Sequence, residues 1–318
     1  MAILAARGGH RVRIWAHEEE VVASIRSTRE NSRFLPGFPI PDSVIPTRAL
    51  DEALRGAEIV LCVVPSHVCR EVVKRMLPDI HEHMVLVSAT KGLEADSFLR
   101  MDEVICEALR DRLAPRLVVL SGPSFAVEVA RGDPTAVVAA SGSETDRMLI
   151  QEAFSSKSFR IYTSPDVPGV EIGGSVKNVM AIATGVVAGL GWGYNTAAAL
   201  ITRGIAEMTR LAVAVGGRAE TMAGLAGMGD LVLTCLGTLS RNRHVGVELG
   251  RGRKLVDILG ETHSVAEGVN TTRATRGLGR RLGIDMPITE GVYDMLYQGK
   301  SPREAAAELM LRPLRGEI

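Results

Sequence analysis

The sequence predicts an α/β protein with a doubly wound parallel sheet in its first half and an all-helical second half. Three observations support this fold class. At 318 residues, the chain is long enough for two domains of ~150 residues each. Short apolar runs alternate with helical patterns as far as about residue 165, which is typical of parallel strands buried on both faces. Beyond residue 166 only helical periodicity is found, and the S-P-D-V-P segment at 164–168 marks the boundary.

The strands of the first half are predicted from alternating patterns or from continuous apolar runs. Val12 and Ile14 alternate with Arg11 and Arg13 in the first strand, and E-I-V-L-C-V-V-P forms the second. The predicted strands cover residues 10–16, 58–65, 84–89, 117–121, 135–140 and 159–162. The predicted helices between them cover residues 18–29, 51–56, 67–77 and 98–112.

In the second half, apolar residues recur at spacings of three and four, which predicts helices. These helices cover residues 170–190, 196–215, 243–250, 269–282, 289–298 and 302–311. Gly216, Gly283 and Gly299 stand where three of them would end, a position that glycine favours. The most apolar stretch, 179–192, is too short and glycine-rich for a membrane span of ~20 residues, so no transmembrane segment is predicted.

Composition excludes several classes of function. Lysine plus arginine and aspartate plus glutamate both total 37, so the basic excess of a nucleic-acid-binding or membrane-surface protein is missing. Aromatic residues make up only 4% of the chain, too few for base-stacking platforms. The four cysteines, Cys62, Cys69, Cys106 and Cys235, form no C-x-x-C pair, which argues against a disulfide scaffold or a metal site. No secretory signal pattern opens the chain, and we expect a cytoplasmic protein.

Three loops after predicted strands carry small or polar residues suited to a small ligand, because ligands of doubly wound sheets bind beyond the carboxyl ends of the strands. A-T-K-G-L-E at 89–94 places Lys91 there, and S-G-P-S-F-A at 121–126 supplies Gly122 and Ser124. The third is C-V-V-P-S-H at 62–67. Lys91 either binds an anion or is a solvated loop lysine. Gly122 and Ser124 either line a site or form a turn before a helix, with Ser124 as its N-cap.

The helix at 170–190 contains the sharpest local signal, G-G-S-V-K-N at 173–178. Lys177 and Asn178 interrupt a stretch that is otherwise apolar or small, and a buried lysine is rare unless it is paired or functional. Helical side chains lean toward the N-terminus, so Lys177 would extend over Gly173 and Gly174, leaving room for a ligand. The alternative is a lysine near the helix start that reaches solvent, with glycines that serve close helix packing.

Further polar residues follow this helix or precede it in the chain. Asp230 either belongs to a site or caps a helix that starts at Leu231. Arg241 and Asn242, in S-R-N-R, offer a guanidinium fork and an amide, groups that hold phosphate. His17 follows the first strand where dinucleotide-binding sheets discriminate the ribose, and an uncharged or cationic residue there tolerates the 2′-phosphate of NADP.

Seven motifs, taken in chain order, resemble those of bacterial NAD(P)-dependent glycerol-3-phosphate dehydrogenases. They are V-V-P-S-H (63–67), A-T-K-G-L-E (89–94), S-G-P-S-F-A (121–126), G-G-S-V-K-N (173–178), G-D-L-V-L-T-C (229–235), S-R-N-R (240–243) and M-P-I-T-E (286–290). The resemblance implies a Rossmann-like dinucleotide-binding domain over 1–165 and a helical substrate and catalytic domain over 166–318. It also implies interconversion of sn-glycerol 3-phosphate and dihydroxyacetone phosphate with NADP or NAD, a reaction that supplies glycerophospholipid synthesis.

The resemblance implies a role for each matching residue. Lys177 is implied as the catalytic residue that exchanges a proton with the substrate's C2 oxygen. Substrate contacts are implied for Lys91, Gly122, Ser124, Lys177, Asp230, Ser240, Arg241 and Asn242. Cofactor contacts are implied for His17, Lys91, Ala126, Arg241, Val265 and Glu267. Asn178 and Thr234 match positions near the reacting centre. A homodimer is compatible with the sequence, although none of its features selects one.

The chain departs from the family pattern at its start and at Val127, where the family often has lysine. Residues 1–7 resemble the end of the helix that follows the family's phosphate-binding turn, and no G-x-G-x-x-G occurs in the chain. We therefore expect a sheet without the family's first strand, and weak dinucleotide binding. Two other functions stay open: a β-hydroxyacid dehydrogenase of the 6-phosphogluconate type, and a non-catalytic protein that binds a phosphorylated metabolite.

Overall fold

The computed structural model describes residues 1–261, 266–314 and 316. Strands and helices are interspersed up to Ser164, and from Val167 onward every regular element of the described residues is a helix. The strands are β1 (Val12–Trp15), β2 (Glu30–Asn31), β3 (Leu35–Pro39), β4 (Val44–Thr47), β5 (Ile59–Cys62), β6 (Val85–Ser88), β7 (Arg116–Ser121), β8 (Thr135–Ala140) and β9 (Phe159–Ser164).

The main sheet has five strands in the order β5-β6-β7-β8-β9. β5, β6 and β7 are parallel neighbours, with Leu61 opposite Val87, and β8 and β9 are also parallel. β8 runs antiparallel to β7, with Leu120 opposite Ala139. The predicted Rossmann-like architecture is confirmed, and the strands of this sheet pair in parallel except at β7 and β8.

The doubly wound sheet lies in separate pieces. β1 pairs in parallel with β4, and β2 pairs with β3 as an antiparallel ribbon. Among the described residues β1 pairs only with β4 and β5 only with β6, so no described strand joins these two pieces. Helix α1 (Ala2–Arg7) precedes β1 and ends at Gly8, followed by Gly9 with a φ of +88°. This agrees with the expectation of a helix over residues 1–7.

The α/β half contains a short 3₁₀ helix over Ser66–Val68 and, among the residues described, seven α-helices. These are α1, α2 (Glu19–Thr28), α3 (Leu50–Leu54), α4 (Cys69–Met76), α5 (Met101–Leu109), α6 (Ala126–Arg131) and α7 (Glu144–Phe154). Helix α5 begins three residues later than predicted. The Glu103 carboxylate accepts the backbone N–H of Arg100 at 2.9 Å and defines the helix start, while Phe98 has a φ of +63°.

The sequence pattern predicts none of β2, β3 and β4. β2 has only two residues, and L-P-G-F-P and V-I-P-T carry prolines, which usually indicate a loop or an edge strand. Burial explains why they form nonetheless, because Val44 is fully buried with Val21 and Ile25 in a small core under α2.

The helical half is built around one long helix. Its members are α8 (Val167–Gly189), α9 (Tyr194–Ala214), α10 (Ala219–Met222), α11 (Asp230–Leu236), α12 (Arg241–Gly250), α13 (Leu255–Gly260), α14 (Glu267–Arg281), α15 (Pro287–Tyr297) and α16 (Pro302–Met310), with a π-helical turn over Leu225–Gly229. Asp166 starts α8 by accepting the backbone N–H of Gly169 at 3.0 Å. With 23 residues, α8 has the length and apolar composition to cross a membrane, but 89% of that apolar window is buried inside the protein.

Helices α8 and α12 pack with their backbones in contact. A Cβ on Gly185 would lie 2.2 Å from the Arg243 carbonyl oxygen, and one on Gly189 would lie 2.2 Å from that of Val247. Gly246, on the opposing helix, would meet the Ile182 carbonyl oxygen at 2.1 Å. Because only glycine permits this approach, these residues hold the start of α12 beside the polar residues of α8.

Candidate active site

Two lysines share one buried aspartate where the two halves of the protein meet. Lys91 follows β6, Lys177 lies on α8, and Asp230 is the first residue of α11. Lys177 Nζ lies 2.7 Å from Asp230 Oδ1, and Lys91 Nζ lies 2.7 Å from Asp230 Oδ2. Lys91 Nζ also donates to the Gly122 carbonyl at 3.0 Å, and Lys177 Nζ to Thr234 Oγ1 at 2.9 Å. The structure thus brings five sequence-predicted residues into one cluster.

The electrostatics of this cluster suit proton transfer. Burial lowers the pKa of Lys177 to about 8; the Asp230 carboxylate acts in the opposite direction, and the charge of Lys91 adds to the lowering. Burial would raise the pKa of Asp230, but the two lysines outweigh it and hold that pKa below its usual value. Two ammonium groups and one carboxylate leave a net positive charge, which favours an anionic ligand.

Asp230 does not act as a helix cap. Gly229 precedes α11 without a side-chain cap, and both oxygens of the Asp230 carboxylate accept from the lysines. Of the two interpretations that the sequence left open, a helix cap or a site residue, the structure excludes the cap. The partners lie 139 and 53 residues away, so no local pattern could indicate them.

The two glycines before Lys177 serve close packing instead of leaving space for a ligand. A Cβ on Gly173 would lie 2.4 Å from the Ala226 carbonyl oxygen, in the π-helical turn that leads into Asp230. A Cβ on Gly174 would lie 2.5 Å from Ser121 Oγ. The prediction that these glycines leave room for a ligand is therefore wrong, because protein atoms occupy the space over them. The close packing instead brings Asp230 and the end of β7 against α8.

The loop after β7 contributes a carbonyl group. Gly122 has a φ of +137° and its carbonyl accepts from Lys91 and, at 3.0 Å, from Ser124 Oγ. Ser124 is not the N-cap of α6, because Phe125 occupies that position without a side-chain cap. Ala126 is the first residue of α6 and is exposed.

The S-R-N-R motif begins helix α12. Ser240 is buried and caps this helix by accepting the backbone N–H of Arg243 at 3.2 Å. Arg241, at the first helical position, is exposed. The Asn242 amide donates to Asn178 Oδ1 and its oxygen accepts the backbone N–H of Gly268, both at 2.9 Å. Asn242 therefore connects α8 and α14 instead of presenting a free amide.

Glu267 connects the helical half to the α/β half. Its carboxylate accepts the backbone N–H of Ser66 at 3.1 Å and the Ser66 hydroxyl. Ser66 follows β5, within V-V-P-S-H, but its pattern gives no sign of a partner 201 residues away. His17 lies beyond the end of β1 and is exposed, whereas Val265 falls outside the described residues.

Ser175 lies beside the cluster, and no pattern in the sequence predicted its role. It is fully buried on α8, two residues before Lys177, and its hydroxyl bonds to the backbone of Gly92. A serine in a nearly apolar buried helix is the signal that could have identified it. Among the described residues, no group of three or more histidine, cysteine, aspartate or glutamate side chains is placed to hold a metal ion.

Comparison with known families gives a consistent result. A family model for the NAD-dependent glycerol-3-phosphate dehydrogenase N-terminus matches residues 1–147, and the corresponding C-terminus model matches residues 166–307. The glycerol-3-phosphate dehydrogenase (NAD(P)+) of Koribacter versatilis is 57% identical over 317 residues, which cover 99% of this chain and 94% of that protein. That of Citrifermentans bemidjiense is 53% identical over 317 residues, covering 100% and 95%.

Solved structures show the same relationship. The glycerol-3-phosphate dehydrogenase of Coxiella burnetii superposes with a TM-score of 0.93 at 39% identity, covering 98% of this chain and 94% of that one. A D-mandelate dehydrogenase is 10% identical with a TM-score of 0.62, a similarity of fold alone.

Proposed function

This chain belongs to the NAD-dependent glycerol-3-phosphate dehydrogenase family, and we propose that its lysine–aspartate–lysine cluster interconverts sn-glycerol 3-phosphate and dihydroxyacetone phosphate with NAD or NADP. The observation that carries this proposal is the buried Lys177 ammonium, 2.7 Å from Asp230 and with its pKa lowered to about 8. Oxidation of a secondary alcohol requires a base for the hydroxyl proton, and reduction of the ketone requires an acid at the same oxygen.

Lys177 exchanges that proton with the C2 oxygen. With a pKa of about 8 it is present in both protonation states near neutral pH, as reversible chemistry requires. Asp230 fixes the ammonium in place through Oδ1 and, with Thr234, restricts its direction. Lys177 is therefore the general base for oxidation and the general acid for reduction.

Lys91 supplies a second positive charge beside the reacting oxygen. Its side chain is 23% exposed, while that of Lys177 is 7% exposed, so Lys91 lies on the accessible side of the cluster. A cation at this place stabilises negative charge that develops on the C2 oxygen. Gly122 and Ser124, whose carbonyl and hydroxyl groups are linked, form the adjoining wall of the substrate site.

Arg241 binds the phosphate group of the substrate. It is exposed at the N-terminus of α12, where free N–H groups and the helix dipole favour an anion. Ser240 and Asn242 support this position from inside, as the helix cap and as the connection to Asn178 and Gly268.

The family's nicotinamide cofactor fits the edge of the sheet formed by β5, β6 and β7. Their carboxyl ends meet there, and the chain continues from them into the segments that carry Ser66, Lys91 and Gly122. When bound, NAD or NADP supplies the hydride acceptor or donor. Lys91, Ala126, Arg241, Glu267 and His17 are the described residues that we propose to contact it.

A substrate panel tests the proposed function. We expect turnover with sn-glycerol 3-phosphate plus NADP or NAD, and negligible turnover with its sn-1 enantiomer, with glycerol or with 6-phosphogluconate, measured by nicotinamide absorbance. Turnover of 6-phosphogluconate alone would indicate a β-hydroxyacid dehydrogenase. Calorimetric binding of glycerol 3-phosphate without turnover in the presence of either cofactor would indicate a non-catalytic binding protein.

Location, physiological purpose and assembly are part of the same proposal. All four cysteines are free thiols, which supports a reducing compartment such as the cytoplasm. Supply of the glycerol backbone for phospholipids is the purpose that we propose. Sedimentation analysis of the purified chain would distinguish a monomer from a homodimer.

A further inference from the structure

We infer that Ser175 is a positioning residue, which fixes Lys91 against Asp230 by holding the peptide groups of Gly92. This inference rests on the proposed function of the lysine cluster. Ser175 Oγ accepts the Gly92 N–H at 3.1 Å and donates to the Gly92 carbonyl at 2.9 Å. One hydroxyl thus satisfies both backbone polar groups of the residue that follows Lys91.

The Lys91 loop is held at Gly92 through its backbone. Gly92 is buried, and a Cβ on it would lie 2.7 Å from the Ser66 Cβ, so no larger residue fits there and no side chain anchors the loop at this position. The next residue, Leu93, is 1% exposed and packs into the core of the helical half. The loop after β6 is therefore held from the helical side at both positions.

The neighbouring glycine places the Lys91 side chain along the same helix. A Cβ on Gly174 would lie 3.7 Å from Lys91 Cγ, so the stem of Lys91 passes over α8 one residue before Ser175. Lys177 follows two residues later on that helix and reaches the other oxygen of Asp230. Ser175 thus sets the position of one lysine relative to the other, although its hydroxyl touches neither ammonium group.

Removal of the Ser175 hydroxyl leaves the buried N–H and carbonyl groups of Gly92 without this hydrogen-bond partner. Because unpaired buried polar groups are unfavourable, we expect the loop that carries Lys91 and Gly92 to move. Movement of Lys91 away from Asp230 removes a positive charge near Lys177 and frees the Asp230 carboxylate. The groups that act on Lys177 are Asp230, Lys91 and the Cys235 thiol, and only the first two change. Loss of the Lys91 contact therefore raises the pKa of Lys177.

The test is a double-mutant cycle of Ser175→Ala and Lys91→Gln, read by the titration of Lys177. The chain has six lysines, so selective ¹³C labelling of lysine side chains resolves Lys177, which Lys177→Met assigns. We expect the Ser175→Ala midpoint to move to higher pH, toward that of Lys91→Gln, and the double variant to match Lys91→Gln alone. Thr209→Ala is the control, because it removes a hydroxyl that donates within α9, to the Ile205 carbonyl at 2.7 Å.

Steady-state kinetics of the same variants provide a second, independent test. In Ser175→Ala we expect kcat/KM for glycerol 3-phosphate to fall about tenfold, the equivalent of roughly one hydrogen bond, with the loss absent once Lys91 is already Gln. If Ser175→Ala does not fold, Ser175→Cys, which keeps a weak donor, is titrated in its place.

An unchanged Lys177 titration in Ser175→Ala, or additive shifts in the double variant, would overturn the inference. The NMR titration needs no turnover. A chain that fails to oxidise glycerol 3-phosphate but shows the non-additive shift would contradict the proposed function while leaving the role of Ser175 in place.

Discussion

Lys177 Nζ and Asp230 Oδ1 lie 2.7 Å apart inside the helical half, and the side chains of these residues are 7% and 1% exposed. An ammonium group held this far from water keeps its charge only because a carboxylate accompanies it. The same burial lowers the pKa of Lys177 to about 8. The pair therefore links the stability of this region to the chemistry proposed for it.

Lys177→Met is expected to abolish turnover while it leaves the affinity for glycerol 3-phosphate within about tenfold. A general acid–base contributes typically 10²–10⁴-fold to rate and less to binding. Steady-state kinetics and calorimetry on the variant check this, with the exposed Lys157→Met as control. Retention of more than a tenth of the wild-type kcat would exclude Lys177 as the proton-transfer residue.

The two directions of the reaction should respond to pH with opposite sign. Oxidation needs the neutral amine, so its kcat rises as the pH increases through the Lys177 pKa of about 8, whereas reduction needs the ammonium and its kcat falls. The Asp230 carboxylate raises the pKa of Lys177, so Asp230→Asn should shift the pH–kcat curves of both directions to lower pH. The exposed Asp42→Asn should leave them in place. If the pH–kcat curves of Asp230→Asn coincide with those of the wild type, a group other than Lys177 controls the pH dependence.

Asp230→Asn should also destabilise the protein. Two ammonium groups then face each other without a counter-ion, and removal of one partner from a buried ion pair costs about 3–5 kcal/mol. Urea denaturation measures this free energy of unfolding. A loss below about 1 kcal/mol would show that the pair is more accessible to water than its burial indicates.

Arg241→Ala should raise the KM for glycerol 3-phosphate about tenfold or more. Loss of a charge-assisted contact to phosphate costs about 1.5–3 kcal/mol. The residual turnover of unphosphorylated glycerol, measured at high glycerol concentration and with saturating cofactor, should hardly change. Arg251→Ala, at the other end of the same helix and paired with Glu248, is the control. Equal losses of activity toward glycerol 3-phosphate and glycerol would show that Arg241 does not bind the phosphate group.

His17 predicts that NADPH is accepted at least as well as NADH, because no carboxylate at this position repels the 2′-phosphate. His17→Glu should weaken NADPH relative to NADH, and the exposed His81→Glu should not. The ratio of kcat/KM values for the two cofactors is the measurement. A tenfold preference of the wild type for NADH would show that another side chain faces the ribose.

Gly92→Ala should destabilise the protein by about 1–3 kcal/mol, the usual cost of overpacking. Its φ of +155° is strained for any other residue, and the new Cβ would lie 2.7 Å from the Ser66 Cβ. Thermal denaturation checks this. Gly56→Ala, at a φ of +68° with open space around it, separates the backbone effect from the steric one.

Local patterns predicted most strands and helices correctly, because each reports which face of one segment is buried. The apolar run that gives β5 and the glycines that end α9, α14 and α15 are examples. The patterns did not predict β3 and β4, whose prolines are tolerated because Val44 and Ile40 join a core formed by distant segments. They also gave no direction for β8, since strand direction depends on the connections around it.

The sequence by itself determined the fold class, a lysine within a buried helix, and the order of motifs that identifies the family. The tertiary structure alone decided which partners those residues contact. It placed Asp230 between two lysines, used Ser240 as a cap and Asn242 as an internal connection, and joined Glu267 to Ser66. The physical reason is distance along the chain. These partners are up to 201 residues apart, and a hydrogen bond between them exists only after packing has brought their backbones together.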